Sequence, residues 1–281
     1  MVLVEKKLDN RNYNSDKIRN VFENYDEWSR FEGSGYKKFV LELHLKEIYN
    51  HVKKGQNVLD LGCGPGRFSI EMLKIGAKVT LADISPKQLA NAKKRIKSRK
   101  LEKNVQGYFA LDATNMPEIE SNQFDLVVAY GGLLSFVADE RHKALKEIYR
   151  VLKPNGFLLA EVMSQYGVFR EVLAKSPEMF EEPEKYNFWE VLETGEQPWS
   201  QFWALHFYTA NEFREFLAGN KFDVKELFSM PSIFYAHIEP FDKIIKSKKA
   251  MNSIYKIEEH VRDKQGMIDA GQYLIAYSQK K

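Results

Sequence analysis

The chain has 281 residues, of which 44% are hydrophobic and 29% are charged, and its formal net charge is +3. This balance is ordinary for a globular protein, and no apolar run approaches the ~20 residues of a membrane-spanning helix. A net charge this small does not by itself indicate a nucleic-acid-binding protein. The first residues lack the long apolar region of a secretory signal, so we expect a cytoplasmic protein with no membrane contact.

The chain contains a single cysteine, Cys63. One cysteine cannot form an intramolecular disulfide and is too few for a zinc cluster, so we expect no metal centre. It also argues against mechanisms that need a dedicated nucleophilic cysteine. A small residue that fills a tight turn is the simplest interpretation of Cys63.

The amino-terminal part of the chain carries two helical patterns. Apolar and aromatic residues recur every three or four positions over 15–30, which predicts an amphipathic helix with Ser15 as its N-cap. Glycines interrupt this pattern, and a second helix is predicted over 39–52. Residues 1–54 therefore form a helical segment ahead of the first strand.

A strand, a glycine turn, a helix and a second strand follow between Gln56 and Ser85. The almost continuous apolar run Asn57–Leu61 predicts a parallel strand that is buried on both faces. Three closely spaced glycines then let the backbone turn sharply and approach a ligand. The second strand delivers Asp83 to its carboxyl end, which is the edge where ligands bind in an open α/β sheet.

A glycine turn followed by an acidic residue about 20 positions later also begins dinucleotide sites. The G-x-G-x-x-G fingerprint does not fit, because Arg67 and Ser69 occupy the positions where its third glycine could fall. Asp60, just before Gly62, would repel a pyrophosphate but suits a ligand that carries an ammonium and a sulfonium cation. These features favour S-adenosylmethionine as the ligand, and a dinucleotide oxidoreductase is the main rival.

The stretch D-L-G-C-G-P-G, with Asp83 after the next strand, closely resembles the first two motifs of the class I S-adenosylmethionine-dependent methyltransferases. The resemblance continues in order to about Met163. It implies an α/β fold with a seven-stranded, mostly parallel, doubly wound sheet whose last strand is antiparallel at the edge. It further implies one domain over 1–281, with a cofactor-binding core at 55–163, a carboxyl-terminal part of the sheet at 209–281, and the amino-terminal helices over the cofactor edge.

The same resemblance implies which residues hold the cofactor. Asp83 would accept hydrogen bonds from both ribose hydroxyls, because one carboxylate can accept two at once. Ile84 would lie against the adenine, Asp112 would accept from its amino group, and the backbone of Ala113 would contact the ring. The implied cofactor-binding set is Tyr25, Asp60, Gly62, Cys63, Gly64, Gly66, Asp83, Ile84, Asp112, Ala113 and Tyr130.

The acceptor should meet the methyl group near the end of the fourth predicted strand, which closes with Tyr130. The residues that follow are not the Asn/Asp-Pro-Pro-Tyr/Phe signature of methyltransferases that act on planar amines, so methylation of adenine N6 or glutamine is disfavoured. A general base is needed only if the acceptor's proton has a high pKa. The catalytic candidates are His206 and Tyr130, and His142 and His237 are weaker ones.

Between 164 and 208 the chain departs from the minimal fold with a long insertion. Connections of this length are usually functional, so we expect an aromatic lid that forms the acceptor pocket. The alternative is an accessory helical pair with its own small core, or a dimer contact. The aromatic residues are Tyr166, Phe169, Phe180, Tyr186, Phe188, Trp189, Trp199, Phe202, Trp203, Phe207 and Tyr208.

These observations predict S-adenosylmethionine-dependent methyl transfer to a small organic acceptor by a monomer or homodimer. An RNA methyltransferase is the first alternative, but the insertion is acidic and would repel a phosphate backbone. A non-catalytic S-adenosylmethionine-binding module is the second. The densest basic run, Lys87–Lys103, has helical spacing and is interpreted as the solvated face of a helix that flanks the sheet.

Overall fold

The structure is a computed structural model that describes residues 12–198, 204–235 and 238–281. Its strands are β1 (Asn57–Leu61), β2 (Lys78–Asp83), β3 (Val105–Ala110), β4 (Phe124–Ala129), β5 (Leu152–Met163), β6 (Glu196–Gln197), β7 (Leu205–His206), β8 (Phe222–Met230) and β9 (Tyr273–Lys280). Its helices are α1 (Ser15–Asn24), α2 (Gly35–His51), α3 (Arg67–Ile75), α4 (Pro86–Ser98), α5 (Leu133–Phe136), α6 (Arg141–Val151), α7 (Gly167–Lys175), α8 (Phe188–Thr194), α9 (Ala210–Gly219), α10 (Ile238–Ile244) and α11 (Lys248–Val261). In the part of the chain that is described, none of these helices has the length and hydrophobicity to span a membrane.

Seven strands form one sheet in the order β3-β2-β1-β4-β5-β9-β8. The pairs that join β1, β2, β3, β4 and β5 are parallel, whereas β9 is antiparallel to both β5 and β8. This confirms the predicted seven-stranded, mostly parallel, doubly wound sheet. The strand order reverses at β1, so the carboxyl ends of β1 and β4 flank a crevice of the kind in which open α/β sheets bind ligands.

The hydrophobic pattern of the central strands explains why helices cover both faces of the sheet. Val58 packs into a core that includes Phe39 of α2, while Leu59 packs into a core on the opposite face with Phe213 of α9. All four of these side chains are fully buried. Successive residues of a strand point to opposite faces, so a run that is apolar at every position needs a covering layer on each side.

The first helix is shorter than the pattern predicted. It begins at Ser15, but its N-cap is Asn14, whose side chain accepts a hydrogen bond from the Lys17 amide. It ends at Asn24, and Glu27–Phe31 forms a separate 3₁₀ turn. The side-chain amide of Gln88 donates to the carbonyls of Phe22 (2.7 Å) and Tyr25 (3.1 Å), so the end of the helix is satisfied from another element instead of by a further turn.

The insertion over 164–208 contains α7, α8 and the small β6–β7 hairpin. The Phe188 ring packs edge-on against Phe169 (5.4 Å between centroids) and Phe180 (5.1 Å). Phe207 of the insertion belongs to a separate small hydrophobic cluster with residues of α8 and β7. The three phenylalanine rings therefore pack on one another, as the predicted alternative of an accessory helical pair would have it, whereas the Phe207 cluster also packs against Phe136 and Met163 outside the insertion. Trp199, Phe202 and Trp203 lie outside the described residues.

Candidate active site

A cavity lies at the carboxyl ends of β1, β2 and β4, under the cover of α1 and the 3₁₀ turn. The described residues that line it are Tyr13, Ile18, Phe22, Glu27, Arg30, Phe31, Leu61, Gly62, Cys63, Gly64, Pro65, Arg67, Phe68, Asp83, Ile84, Gln88, Leu111, Ala113, Tyr130, Gly131, Leu133, Phe136 and Val137. We call it the inner cavity. It brings most of the predicted cofactor-binding residues together, and their role in binding stays a prediction.

The glycine turn after β1 forms one wall of the inner cavity. Gly62, Gly64 and Gly66 have φ angles of 75°, 51° and 81°, a region that side-chain-bearing residues rarely adopt. A Cβ added to Gly62 would lie 2.9 Å from Leu133 Cδ1, and one added to Gly66 would lie 2.9 Å from Ala92 Cβ. The turn therefore requires glycine for its conformation and for its close packing.

Asp83 lies at the end of β2 and is buried in the wall of the inner cavity. Its Oδ2 accepts from the amide of Gly64 and its Oδ1 from the amide of Ser85, each at 2.8 Å. Burial raises the pKa of this carboxyl group from 3.8 to about 6, although both amides oppose the shift. Each oxygen retains a lone pair, so the carboxylate can accept two further hydrogen bonds, as a ribose diol would supply.

Asp60 does not reach the cavity, in contrast to its predicted contact with the cofactor. It is not among the described lining residues, and its carboxylate accepts a hydrogen bond from the Ser69 hydroxyl of α3 beneath the turn. Burial raises the pKa of Asp60 to about 7, and the nearby charge of Asp83 adds to the shift. Asp60 can therefore act on a bound cation only through its charge and through the turn that it supports.

At the opposite end of the cavity, Ile84 and Ala113 line the predicted adenine pocket, but Asp112 does not. The Asp112 carboxylate accepts from the Tyr13 hydroxyl at 3.1 Å and from the amide of Thr114 at 2.8 Å. Tyr13 itself lines the cavity, so it lies between Asp112 and the interior. Sequence reasoning missed Tyr13, because it precedes the first helix and belongs to no periodic pattern.

Tyr25, predicted to face the cofactor, lies elsewhere. Its side chain is 46% exposed, and it lines a neighbouring cavity instead of the inner one. The helix ends at Asn24, so Tyr25 is in extended backbone and points away from the helical face that covers the cavity. Phe22 occupies that face, and its ring packs edge-on against Phe136 at 5.3 Å.

The 3₁₀ turn places the carboxylate of Glu27 and the guanidinium of Arg30 over the middle of the inner cavity. The Arg30 guanidinium donates to Glu27 Oε1 at 3.0 Å. A Cβ on Gly64 would lie 3.4 Å from Glu27 Cγ, and one on Gly131 would lie 3.7 Å from Arg30 Nη1. The carboxylate therefore lies over the glycine turn and the guanidinium over the end of β4, which matches a ligand that carries both an ammonium and a carboxylate.

Trp28 ties this 3₁₀ turn to the core. Its ring lies 4.0 Å from the Arg67 guanidinium carbon and 4.4 Å from that of Arg95, a pair of cation–π contacts. Arg67 also donates to the Trp28 carbonyl. The interpretation of the basic run as a solvated face is therefore wrong for Arg95, whose side chain binds the cover of the cavity.

A second cavity, which we call the outer cavity, adjoins the inner one. The two share Phe22, Glu27, Arg30, Phe31, Gly131 and Phe136 as lining residues. The other described residues of the outer cavity are Tyr25, Ser29, Glu32, Gly33, Ser34, Tyr36, Lys37, Val40, Met163, Glu171, Lys175, Gln272 and Tyr273. Of the insertion, only Glu171 and Lys175 are in this described set, so the described aromatic residues of the insertion do not form the pocket that was predicted.

Polar side chains are buried behind the shared wall. His44 Nδ1 lies 2.8 Å from the Val40 carbonyl and Nε2 lies 2.6 Å from Glu161 Oε2. A carbonyl can only accept, so Nδ1 carries a proton and one further proton lies between His44 and Glu161. Arg30 donates to the Tyr273 hydroxyl at 2.8 Å and lies 4.0 Å from Glu161 Oε1. This group holds the guanidinium at the junction of the cavities.

Tyr130 lines the inner cavity at the end of β4, but its hydroxyl is buried and has no hydrogen-bonding partner among the described residues. Burial raises the pKa of this hydroxyl well above its usual value, and the charges of Glu47 and Glu161 add to the effect. The phenol therefore stays protonated at neutral pH. Tyr130, one of the two catalytic candidates named from the sequence, is therefore unsuited to act as a general base.

His206, the other catalytic candidate, lines neither cavity. It is buried, and its ring nitrogens lie 2.9 Å from Glu196 Oε1 and 2.6 Å from Glu212 Oε1. Burial acts to lower the pKa of His206, but the two carboxylates outweigh it and raise the value. The geometry therefore gives His206 a structural role in joining the β6–β7 hairpin to α9.

The weaker candidates do not reach the cavities either. His142 lies on α6 near Asn220, and His237 lies outside the described residues. Away from both cavities, Glu47, His51 and Glu226 bring possible metal-ligand atoms within 4.8 Å of one another. Glu47 there already accepts from Arg262 at 2.6 Å, which supplies a positive charge.

Comparisons with known proteins agree with this architecture. Residues 58–156 match the family described as Methyltransferase domain. A protein of Leptospira interrogans, named demethylmenaquinone methyltransferase, is 35% identical over 150 residues, which cover 52% of this chain and 57% of that protein. The chain thus spans about half the length of the curated relatives that it matches.

Two solved structures illustrate how far the fold extends. Magnesium protoporphyrin IX methyltransferase from Synechocystis, with bound S-adenosylhomocysteine, has a TM-score of 0.58 at 16% identity and covers 95% of this chain and 99% of its own. The cyclase SpnF has a TM-score of 0.56 at 19% identity, with 85% of this chain and 81% of its own covered. At such identities the likeness concerns the fold alone. Together with the strand order, it shows that the chain has the class I S-adenosylmethionine-dependent methyltransferase fold, and residues 58–156 within that fold match a methyltransferase domain.

Proposed function

We propose that the protein transfers the methyl group of S-adenosylmethionine to a small organic acceptor that enters through the outer cavity. The observation that carries this proposal is the wall shared by the two cavities at Gly131, Arg30 and Phe136. A cofactor in the inner cavity and an acceptor in the outer cavity would meet there, beyond the end of β4. Methyl transfer requires such a meeting, because the acceptor must attack in line with the bond from sulfur to the methyl carbon.

The cofactor is oriented by groups at three points of the inner cavity. Its ribose hydroxyls donate to Asp83, and its adenine packs against Ile84. Its amino-acid end lies between the glycine turn and Gly131, with the ammonium towards Glu27 and the carboxylate towards Arg30. This assignment uses the positions of those two side chains over Gly64 and Gly131, and it gives each charge of the ligand an opposite charge on the protein.

The acceptor is a small molecule with an aromatic or other planar apolar body. The outer cavity presents several rings, among them Phe22, Tyr25 and Tyr273. Its described cations are Arg30, Lys37 and Lys175, and its described carboxylates are Glu27, Glu32 and Glu171. This balance of charge does not favour a phosphate backbone, whose affinity comes from excess positive charge, so RNA is the weaker candidate. The Leptospira relative is named for a quinone-type acceptor, which is of the class proposed.

The protein contributes mainly alignment and exclusion of water, since the sulfonium is already an activated methyl donor. The described residues that line the two cavities include no histidine. An acceptor that must lose a proton would therefore use a carboxylate of the outer cavity. Among these carboxylates, Glu171 is oriented by the Tyr235 hydroxyl, which donates to its Oε2 at 2.8 Å, but its ion pair with Lys175 helps to lower its pKa and weakens it as a base.

A non-catalytic or different activity on the same fold is the alternative, since a fold does not determine a reaction. The likeness to a protein named as a cyclase illustrates the point. Two experiments separate these functions. Calorimetric titration compares the binding of S-adenosylhomocysteine with that of NADH. An activity assay then measures the formation of S-adenosylhomocysteine from S-adenosylmethionine with a panel of phenolic and quinol acceptors. Tight binding of NADH in place of S-adenosylhomocysteine would overturn the cofactor assignment. Binding without turnover on any acceptor class would favour the non-catalytic module.

A further inference from the structure

A basic groove lies on the opposite side of the molecule from the two cavities. Its described lining residues are Ser121, Asn122, His142, Lys143, Lys146, Glu147, Tyr149, Arg150, Gly219, Asn220, Lys221 and Lys280. We propose that this groove binds a small phosphate-bearing molecule, such as a nucleotide or an inorganic polyphosphate, at a site distinct from the methyltransferase cavities. The proposal does not depend on the methyl-transfer function.

The strand directions place the groove at the amino-terminal edge of the sheet. Asn122 lies just before β4, Lys221 just before β8, and Lys280 ends the antiparallel strand β9. The register pairs Phe222, at the start of β8, with Lys280. Parallel strands begin at one edge of a sheet and end at the other, so the groove and the cofactor edge face opposite sides of the molecule.

Several cations of the groove lack a counter-charge. Arg150 is paired with Glu147 at 2.7 Å, and Lys143 with Glu140 at 2.7 Å. The lysines that remain form no ion pair with any described carboxylate; they are Lys146, Lys221 and Lys280. These three lysines place three positive charges in one concave region.

Lys280 is the least usual of these lysines, because it is only 8% exposed. Its ammonium donates to the Leu152 carbonyl at 2.6 Å and to Asn122 Oδ1 at 3.1 Å, and it lies 4.4 Å from the centre of the Tyr149 ring. All these partners are neutral. A buried cation is normally paired with an anion, since removal from water disfavours the charge. Burial accordingly lowers the pKa of Lys280, and an anion in the groove would offset that effect.

Neutral polar groups also line the groove. The side-chain amide of Asn220 donates to the Phe216 carbonyl at 2.7 Å and lies 3.4 Å from His142 Nδ1. The groove has a volume of about 740 Å³, within the range of small-molecule sites. Three ammonium groups and several neutral polar groups around such a space match the many acceptor oxygens of a di- or triphosphate.

A nucleic-acid strand is the less suitable ligand. Its binding needs a series of phosphate contacts along an extended basic surface. Here the unpaired lysines converge on one concavity, and the two other cations that line it, Lys143 and Arg150, are paired with Glu140 and Glu147. The geometry therefore favours a compact polyanion over a strand that continues past the groove.

The test measures the binding of pyrophosphate and of ATP to the full chain by isothermal titration calorimetry. The variant Lys146→Gln/Lys221→Gln removes two charges from side chains that make no described hydrogen bond, and Lys97→Gln/Lys100→Gln on the outer face near α4 is the matched control. We expect the groove variant to weaken pyrophosphate binding about tenfold or more, as loss of charged contacts does, and the control to leave it unchanged. Binding of S-adenosylhomocysteine by both variants serves as the check that they are folded.

Several results would overturn the proposal. Pyrophosphate and ATP could fail to bind the wild-type protein, or could bind the groove variant as well as the control. A short single-stranded RNA could bind the groove more tightly than ATP and resist displacement by pyrophosphate, which would assign the site to nucleic acid. Failure of S-adenosylhomocysteine binding, with pyrophosphate binding intact, would refute the proposed function and leave this site unaffected.

Discussion

The substitution Asp83→Asn tests the cofactor site most directly. It keeps the size of the side chain but removes its charge, and it replaces one acceptor oxygen by an NH₂ donor. Both oxygens of Asp83 accept from backbone amides, at Gly64 and Ser85. The new NH₂ group would face one of those amide donors without an acceptor between them, and it could no longer accept from a ribose hydroxyl.

The expected loss follows from these contacts. A hydrogen bond to a charged group contributes roughly 1.5–3 kcal/mol, and the substitution removes one from the ligand and weakens a second. We therefore expect the binding of S-adenosylhomocysteine to weaken by ~3 kcal/mol, which is about a hundredfold in the dissociation constant. The variant should also lose some stability, because the buried amide of Gly64 or Ser85 is left without its acceptor, and the glycines of the turn should keep its backbone conformation.

The pH dependence gives an independent check. Burial raises the pKa of Asp83 from 3.8 to about 6 in the cofactor-free protein. The ionised form is the better acceptor for the ribose, so the contribution of Asp83 to affinity should be constant well above this pH and should fall as the pH drops through about 6. Binding near pH 6 should release about half a proton from Asp83. Asp60, whose pKa burial raises to about 7, would add proton release at higher pH, and in the Asp83→Asn variant this release should move to lower pH because the charge of Asp83 contributes to the shift.

Calorimetry in buffers of different ionisation enthalpy measures both affinity and proton release. Asp223→Asn, at an exposed site on β8, is the matched control and should bind as the wild-type protein does. If Asp83→Asn binds S-adenosylhomocysteine within about threefold of the wild type, Asp83 does not hold the ribose and the assignment of the inner cavity is wrong. An unchanged pH profile in this variant would refute the linkage argument alone.

Three further predictions concern other residues. Arg30→Met should weaken S-adenosylhomocysteine binding about tenfold but leave 5′-methylthioadenosine, which lacks the amino-acid end, unaffected; an equal loss for both ligands would contradict the contact with the carboxylate. Gly66→Ala should destabilise the fold by ~1–3 kcal/mol in urea unfolding, since its φ is 81° and the new Cβ would lie 2.9 Å from Ala92 Cβ. His206→Gln should lower the melting temperature without changing cofactor affinity. The two carboxylates raise the pKa of His206 above 6.5, so the difference in unfolding free energy between wild type and variant should be largest at low pH and should shrink as the pH rises through the raised pKa. A loss of turnover without a loss of stability would instead restore His206 as a catalytic candidate.

The sequence by itself determined the local part of this protein. The strand, glycine turn, helix and second strand lie within 30 consecutive residues, so apolar runs, glycines and a following Asp83 were sufficient to predict them. The seven-stranded sheet with its antiparallel edge strand was expected from the resemblance to the class I methyltransferases, and the alternation of strand and helix patterns is consistent with it. Ile84 and Ala113, which the resemblance assigned to the adenine, do line the cavity, and they lie just beyond the carboxyl ends of β2 and β3.

Only the tertiary structure decided which distant segments complete the cavities. Arg30 binds the Tyr273 hydroxyl across 243 positions of the chain, and no periodic pattern encodes such a contact. The sequence placed Tyr25 at the cofactor wrongly, because the helix before it ends where Gln88 binds its last carbonyls. It proposed His206 as a catalytic residue because the sequence does not show that Glu196 and Glu212 lie beside it in the fold. The basic groove is a similar case: Lys221 precedes β8, Lys280 ends β9, and the two meet because these strands begin and end at the same edge of the sheet, where Lys146 of α6 also lines the groove.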